Sequence, residues 1–274
     1  MLTDTQLQDL ERDGFVIVEN LFSAEEADLL LKIASADASM EGPAVHPSEV
    51  LKMRRASAQV VSAGDGAGRQ TRFWVDDNVG EDYYSAIARS RRIVDAMEQV
   101  LDGEVYHWHH KMMLKSARTG GAFMWHQDFG YWHETGYCLF PYMGSCMIAV
   151  NRTTKENGCL QALAGSHHMG LIRHERVEGQ AKADPERVAA AAERLPLVHL
   201  EMEPGTGAFF HANLLHRSDA NESDDPRWTL ICCYNAARND PYRDSHHPRY
   251  TPLEKLDDDE IVRIGRAQWD GMGQ

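Results

Sequence analysis

The chain lacks long apolar segments, an excess of positive charge and any paired-cysteine motif. None of its apolar runs approaches the roughly 20 residues that a membrane-spanning helix requires. Its 28 Lys and Arg are outnumbered by 42 Asp and Glu, and a net charge of −14 argues against nucleic-acid and membrane partners. The N-terminus has no charged-then-apolar secretion pattern. These absences predict a cytoplasmic protein.

Five cysteines occur without a C-x-x-C pair, and four fall in or beside apparent strands. Such cysteines are expected to be buried thiols in a reducing compartment rather than parts of a disulfide framework or a cysteine-based zinc site. The histidines are more numerous, with 14 in the chain. His246 and His247, which lie among Pro and Asp residues in the tail, are expected at the surface or at an interface.

Residues 104–236 carry a strand-and-turn pattern with Gly-rich corners. Eight strands are predicted there: 104–115, 121–129, 145–151, 159–163, 197–202, 207–211, 214–219 and 227–236. This number of short strands is typical of a closed all-β architecture, and all-β barrels of this length often form one domain. We therefore predict a single domain over residues 1–274. Its fold class is mainly β, a double-stranded β-helix (jelly-roll or cupin-like barrel) with flanking N-terminal and C-terminal helices.

Helices are predicted on both sides of the strand region, over 3–12, 23–34, 81–101 and 257–268, and a helical insert is predicted within it, over 184–194. The second begins with Ser23-Ala-Glu-Glu26, which is a capping-box pattern. Residues 37–78 are rich in Gly, Ala and Ser, and a segment of this kind is expected to be a lid over the site or a mobile loop. Residues 240–274 form a C-terminal extension whose helix packs outside the barrel or against a partner subunit, which leaves a homodimer open.

A candidate metal site is formed by His126 and Asp128, together with His216, 90 residues further along the chain. In an extended segment, side chains at i and i+2 point the same way, so His126 and Asp128 are expected to bind one ion. Two imidazoles and one carboxylate are the ligand set of mononuclear Fe(II) oxygenases, in which other coordination positions stay open. The alternative is an H-x-D pair that arises by chance in a His-rich chain.

Arg227 follows His216 by 11 positions and begins a strongly apolar strand. A buried guanidinium is costly unless a carboxylate pairs with it. Its planar fork suits the distal carboxylate of 2-oxoglutarate. The alternative is an internal ion pair with Asp219, Asp224 or Asp225.

These motifs occur in an order that resembles the phytanoyl-CoA dioxygenase family of Fe(II)/2-oxoglutarate oxygenases, and specifically its ectoine hydroxylase-like branch. The resemblance covers most of residues 1–240. It rests on the segments 15–26, Trp125–Phe129, Glu156–His167 and Pro204–His211, and on His216 and Arg227. It implies that His126, Asp128 and His216 are the Fe(II) ligands and that Arg227 holds the cosubstrate.

Further contacts are expected on the strand that precedes the ligands. Period two places five side chains on one face of it: His107, His109, Lys111, Met113 and Lys115. The resemblance implies that His109, Lys111 or Lys115 contacts 2-oxoglutarate, and Ser218 is expected to assist because it shares a face with His216. A solvated edge-strand face is the alternative. The substrate pocket is expected to include Phe129, Tyr131, Trp132, His133 and His167.

The function that the resemblance implies is hydroxylation of an unactivated C–H bond, with O₂ consumed and succinate and CO₂ released. An aromatic, acidic chain favours a small polar or zwitterionic substrate: an aminoalkylphosphonate, an amino acid or a betaine-like compound. Three alternatives remain open. They are an oxygenase that tailors a secondary metabolite, a cupin metalloenzyme that does not use 2-oxoglutarate, and a metal-binding sensor.

Overall fold

The computed structural model describes residues 1–40, 59–177 and 180–273. Within these residues the helices are α1 (Asp4–Asp13), α2 (Ala24–Ser35), α3 (Tyr83–Ala88), α4 (Arg91–Val100), α5 (Asp128–Thr135), α6 (Pro185–Ala192) and α7 (Asp258–Met272). The strands are β1 (Phe15–Val18), β2 (Gln59–Gly64), β3 (Gln70–Asp76), β4 (Val105–Lys115), β5 (Phe123–His126), β6 (Met143–Ala149), β7 (Leu160–Leu163), β8 (His174–Val177), β9 (Gln180–Ala183), β10 (Leu197–Leu200), β11 (Gly207–His211), β12 (His216–Ser218) and β13 (Arg227–Ala236).

Two antiparallel sheets face each other. The larger has the strand order β1-β11-β6-β13-β4-β3-β2, and the smaller has the order β10-β7-β12-β5. Side chains from both sheets, including Met147, Phe210 and Ala162, form the core between them. This is the jelly-roll barrel that the sequence predicted, and β8 and β9 form a separate hairpin beside it.

The outer face of the large sheet is covered by helices, and their side chains form a second core. Ile33 of α2 and Met97 of α4 pack there with Cys232 of β13. The next residue, Cys233, belongs to the core between the sheets. Because successive strand residues face opposite sides, β13 is buried along its whole length, which explains its continuous apolar sequence.

The helix boundaries follow from their capping residues. Ser23 accepts a hydrogen bond from the Glu26 amide (3.3 Å), and the Glu26 carboxylate accepts one from the Ser23 amide (2.7 Å), as the capping box requires. The single helix predicted over 81–101 is two helices, because Ser90 ends α3 and caps α4 by accepting from the Arg92 amide (3.2 Å). The tail helix α7 packs on the chain's own α2 and α3, with Arg266 paired to Glu25 at 2.5 Å.

The prediction of a lid or loop over 37–78 is wrong for the part that β2 and β3 occupy. These strands form a hairpin that extends the large sheet through pairing of β3 with β4. Gly66 and Gly68, with φ of 78° and 84°, allow the turn between them, and Trp74 is buried. The Gly-rich turn dominated the composition and concealed the strands. Residues 41–58 lie outside the described residues.

None of the helices in the described ranges combines the length and the apolar character needed to cross a bilayer.

Candidate active site

His126 and Asp128 lie at the junction of a strand and a helix. The prediction of one extended strand over both is wrong, because β5 ends at His126 and Asp128 is the first residue of α5. Gln127 between them is extended (φ −113°, ψ 132°), so both side chains still point to the same side. His126 Nε2 and Asp128 Oδ1 are 3.8 Å apart.

His216 reaches the same point from β12. This strand pairs with β5 so that His216 lies opposite His126. His216 Nε2 is 3.8 Å from Asp128 Oδ1, and ligand atoms of the three residues all lie within 4.8 Å of one another. The structure therefore brings together the three residues that the sequence selected, in a geometry that fits one divalent ion.

Hydrogen bonds fix the orientation of each of these side chains. The Nδ1 atoms of His126 and His216 contact the carbonyl oxygens of Met124 (2.7 Å) and Leu214 (2.9 Å), which directs both Nε2 atoms toward Asp128. Ser145 on β6 donates to Asp128 Oδ2 (3.2 Å). Such outer partners fix the tautomer and orientation of metal ligands.

Burial and nearby charges favour the protonation states that bind a metal. Burial, with the charge of His216 next, lowers the pKa of His126 to about 3, and burial lowers the pKa of His216. Burial alone would raise the pKa of Asp128, but the charges of His216 and Lys111 outweigh it and the pKa is lowered. Two neutral imidazoles and one carboxylate result.

Arg227 is 2% exposed and has no carboxylate partner among the described residues. Its Nη1 donates to the Gly158 carbonyl (2.6 Å), and its Nε finds no acceptor within the described part of the chain. Asp219 is instead near Arg217 and Asp224 pairs with Arg118, so the alternative of an internal ion pair is not met. Burial lowers the pKa of Arg227 to about 10. An unpaired guanidinium in this position fits an incoming carboxylate.

Lys115 lies directly opposite Arg227 in the pairing of β4 with β13. Its Nζ donates to Ser218 Oγ (2.8 Å) and to the Asp219 carbonyl. Ser218 is two residues beyond His216, or about 7 Å along the strand. An extended five-carbon dicarboxylate therefore fits between the candidate iron ligands and the two cations.

The face predicted for the preceding strand is interrupted by a bulge. Its register shifts opposite Cys233 and Tyr234, and His107 contacts His110 (3.0 Å) instead of continuing the face of His109. Lys111 lies opposite Ile231 and on the same face of β4 as Met113, the face toward the core between the sheets. Its positive charge contributes to the lowered pKa of all three candidate ligands. His109 lies six residues, about 20 Å, from Lys115 along β4, too far to contact the carboxylate that Arg227 would hold.

The aromatic residues after the ligand pair lie on α5 beside the triad. Phe129 and Trp132 are buried, and Trp132 lies edge-on to His109 with ring centroids 5.8 Å apart. Tyr131 and His133 are half-buried on the same helix. His167 is not brought to this pocket. Its Nε2 contacts the Glu11 carbonyl (3.1 Å), because the left-handed Gly165 turn directs it against α1.

Sequence reasoning missed the residues that hold the ligands in place. Gln127 is fully buried, and its amide nitrogen donates to the carbonyls of Gly170 (2.8 Å) and Asn213 (2.7 Å). The backbone N–H of Gln127 donates to His174 Nε2 (3.0 Å). In the sequence, the only sign of this role is that Gln127 is a polar residue between two ligands. Its hydrogen-bond partners could not be identified there, because they are more than 40 residues away in the chain.

Comparison with known proteins agrees with this site. The phytanoyl-CoA dioxygenase (PhyH) family model matches residues 10–229. The chain is 30% identical to the ectoine dioxygenase of Bordetella parapertussis over 250 residues, 87% of this chain and 77% of that protein. It is 28% identical to the L-proline trans-4-hydroxylase of Streptomyces griseoviridis over 193 residues, 65% of this chain and 71% of that protein.

The fold is also similar to solved structures. The structure of EctD from S. alaskensis with 2-oxoglutarate and 5-hydroxyectoine superposes with a TM-score of 0.74 at 24% identity, covering 93% of this chain and 88% of that one. The extent of the family match and the ectoine dioxygenase relative identify the class. The chain belongs to the phytanoyl-CoA dioxygenase family and is a 2-oxoglutarate-dependent hydroxylase with Fe(II) and 2-oxoglutarate as its cofactors.

Proposed function

We propose that this chain hydroxylates an unactivated C–H bond of a small zwitterion, with an amino acid, a betaine-like compound or an aminoalkylphosphonate as the candidate classes. Substrate, O₂ and 2-oxoglutarate would give hydroxylated substrate, succinate and CO₂. The observation that carries the proposal is a buried two-His-one-carboxylate triad next to an Arg227 that has no carboxylate partner among the described residues.

The residue assignments follow from this geometry. His126, Asp128 and His216 hold Fe(II), which supplies the oxidising chemistry when it is bound. Arg227 and Lys115 bind the far carboxylate of 2-oxoglutarate, and Ser218 supports Lys115 through its 2.8 Å hydrogen bond. Because Asp128 occupies one ligand position, no vacant position is left for a halide, and hydroxylation is expected rather than halogenation.

The substrate class is supported by the side chains around the triad. Phe129 and Trp132 on α5 are buried, and Tyr131 and His133 on the same helix are half-buried. Aromatic faces of this kind suit a protonated or quaternary amine. Lys111, whose charge acts on the triad, is suited to an anionic group of the substrate. The relatives are an ectoine dioxygenase and an L-proline hydroxylase, and ectoine and proline are both small zwitterions. The cytoplasmic location and the homodimer expected from the sequence stay predictions.

An anaerobic titration tests this proposal. Fe(II) and 2-oxoglutarate are added in turn while the visible charge-transfer band of their chelate is recorded. Aminophosphonates, betaines, amino acids and ectoine are then added singly, followed by large polycyclic and saccharide compounds. We expect the band to form and to shift with a zwitterion. A band that shifts only with large polycyclic or saccharide compounds would overturn the substrate class. Iron binding without a band would overturn the assigned cosubstrate site.

A further inference from the structure

A second cluster with metal-ligand chemistry lies outside the candidate iron triad. Asp77 follows β3, His109 is on β4, and His247 is in the segment between β13 and α7. One potential ligand atom from each residue lies within 4.8 Å of the other two. His247 Nδ1 is 3.9 Å from Asp77 Oδ1. Three distant parts of the chain therefore meet in a two-His-one-carboxylate set.

The spacing in this cluster matches that of the iron triad in the same structure. The two Nε2–Oδ1 separations of the triad are both 3.8 Å, against 3.9 Å here. All three are too long for hydrogen bonds. Zinc–nitrogen and zinc–oxygen bonds are about 2.0–2.2 Å long, so two ligands of one ion lie roughly 3–4 Å apart. The separation between His247 and Asp77 is therefore close to the two separations in the candidate iron triad, and it fits two ligands of one ion.

Three of the four imidazole nitrogens in the cluster have no hydrogen-bond partner among the described residues. His109 Nδ1, His247 Nδ1 and His247 Nε2 are buried and lack a hydrogen-bond partner in the described ranges. The two residues are only 6% and 7% exposed. The ring of His247 is stacked on Trp108 at 4.4 Å, which fixes its plane. Buried polar atoms are rarely left unpaired, and such atoms in a native structure call for a bound group.

The charge states of the cluster also suit a cation. Burial lowers the pKa of both imidazoles well below the ordinary value, which leaves neutral rings with free lone pairs. Burial, followed by the charge of Asp76, raises the pKa of Asp77 to about 7. No Lys or Arg pairs with Asp77 among the residues that the structure describes. A carboxylate that is costly to ionise alone is stabilised by a positive ion.

The cluster is separate from the iron triad. His109 pairs with Cys233 on β13, and Cys233 pairs with Ser145 on β6, which contacts Asp128. Two strand spacings, about 10 Å in total, therefore separate the backbones of Ser145 and His109. The two clusters share no residue, and each forms its own group of ligand atoms within 4.8 Å of one another.

We propose that Asp77, His109 and His247 form a second site for a divalent transition-metal ion. Nitrogen and carboxylate ligands suit such an ion, and three protein ligands leave at least one coordination position open. The nitrogens of His247 have no carbonyl partner in the described residues, unlike the Nδ1 atoms of the triad. The second site therefore binds its ion more weakly and exchanges it more readily.

The test counts Co²⁺ ions bound per chain, by visible absorption during titration of protein freed of metal with a chelator. The wild-type chain is expected to bind two ions, and His216→Ala and His247→Ala one each. The double variant should bind no ion, and Asp77→Asn should lower the affinity for the second ion. Removal of a ligand should lower the affinity for that ion by at least about 100-fold, more than the loss of an outer-shell partner does. His246→Ala is the matched control and retains two ions.

The Fe(II)–2-oxoglutarate band provides an independent readout. It should persist in His247→Ala and disappear in His216→Ala, and circular dichroism checks that each variant is folded. One ion per wild-type chain would overturn the proposal, as would a second ion that remains in His247→Ala. A one-ion chain in which His247→Ala weakens binding of a zwitterion would assign the cluster to the substrate's amine instead.

Discussion

Lys115 and Arg227 lie opposite each other on β4 and β13, two buried basic side chains with no carboxylate partner within the described residues. Burial, and then the charge of Arg227, lower the pKa of Lys115 well below its ordinary value. Such an arrangement is costly in the free protein. It becomes favourable when a dicarboxylate binds, and it is therefore a pre-formed anion site.

Replacement of Arg227 by Ala should weaken the binding of 2-oxoglutarate much more than the binding of iron. Hydrogen bonds to charged groups contribute up to about 3 kcal/mol, so we expect roughly 100-fold weaker cosubstrate binding. Titration of the Fe(II) complex with 2-oxoglutarate measures this change. In Arg152→Ala, which removes only a surface ion pair with Glu203, the affinity should be unchanged. His216→Ala should instead lose iron-dependent turnover. An unaltered 2-oxoglutarate affinity in Arg227→Ala would contradict the role assigned to Arg227.

Binding of 2-oxoglutarate should be coupled to proton uptake. The pKa of Lys115 is depressed in the free protein and should rise when the carboxylate binds, so affinity should fall as the pH rises above the free-state pKa. Calorimetry in two buffers with different ionisation enthalpies, repeated over a range of pH, measures the protons taken up. We expect net uptake in the wild type and little in Lys115→Met. Equal uptake in both proteins would show that another group is responsible.

Ser145 is expected to act on iron through Asp128. Its hydroxyl donates to Asp128 Oδ2 (3.2 Å), and loss of such an outer-shell partner typically lowers metal affinity about 10- to 100-fold. Ser145→Ala should therefore raise the dissociation constant of Fe(II) by that factor. Once iron is saturating, the affinity for 2-oxoglutarate should be normal. If Ser145→Ala lowered the affinity for 2-oxoglutarate at saturating iron, the hydroxyl would have a role beyond positioning Asp128.

The sequence predicted the chemistry of the site better than its boundaries. His126, Asp128, His216 and Arg227 could be identified because ligand types and an Arg in an apolar strand are visible locally. The helix that begins at Asp128 could not be predicted from the sequence. The residue before it, Gln127, is held by contacts with residues that are distant in the chain.

The tail shows the same limit. His246 and His247 were expected at the surface or an interface, but His247 is buried against Trp108, which lies 139 residues earlier in the chain. Strands β2 and β3 were missed because the pairing of β2 with β3 and of β3 with β4 outweighs a composition typical of loops. In each case the deciding contact joins segments that are distant in sequence.

The metal-free protein should lose stability in mild acid. His126 has a pKa of about 3 in the folded protein, against 6.5 ordinarily. Between these two values the unfolded chain binds more protons than the folded protein, so the free energy of unfolding decreases as the pH is lowered. At pH 5 this residue alone should cost about 2 kcal/mol relative to pH 7. Thermal unfolding of chelator-treated protein from pH 7 to pH 5 measures the loss. His126→Gln, which cannot take up the proton, should show a shallower pH dependence. An identical slope would contradict the buried neutral state of His126.

Lys111 should control substrate affinity rather than cofactor binding. Its charge reaches the candidate iron ligands from β4, on the side where an anionic group of a zwitterion would lie. Lys111→Met should raise the KM of the zwitterion that shifts the Fe(II)–2-oxoglutarate band by at least about tenfold, since one charge-assisted hydrogen bond is worth about 1.5–3 kcal/mol. Lys111→Arg should recover most of this loss because it restores the charge. Lys182→Met, which removes a charge that only lies near Glu175, is the control and should leave KM unchanged. If Lys111→Met lowered the affinity for 2-oxoglutarate and left KM for the zwitterion intact, the residue would belong to the cosubstrate site instead.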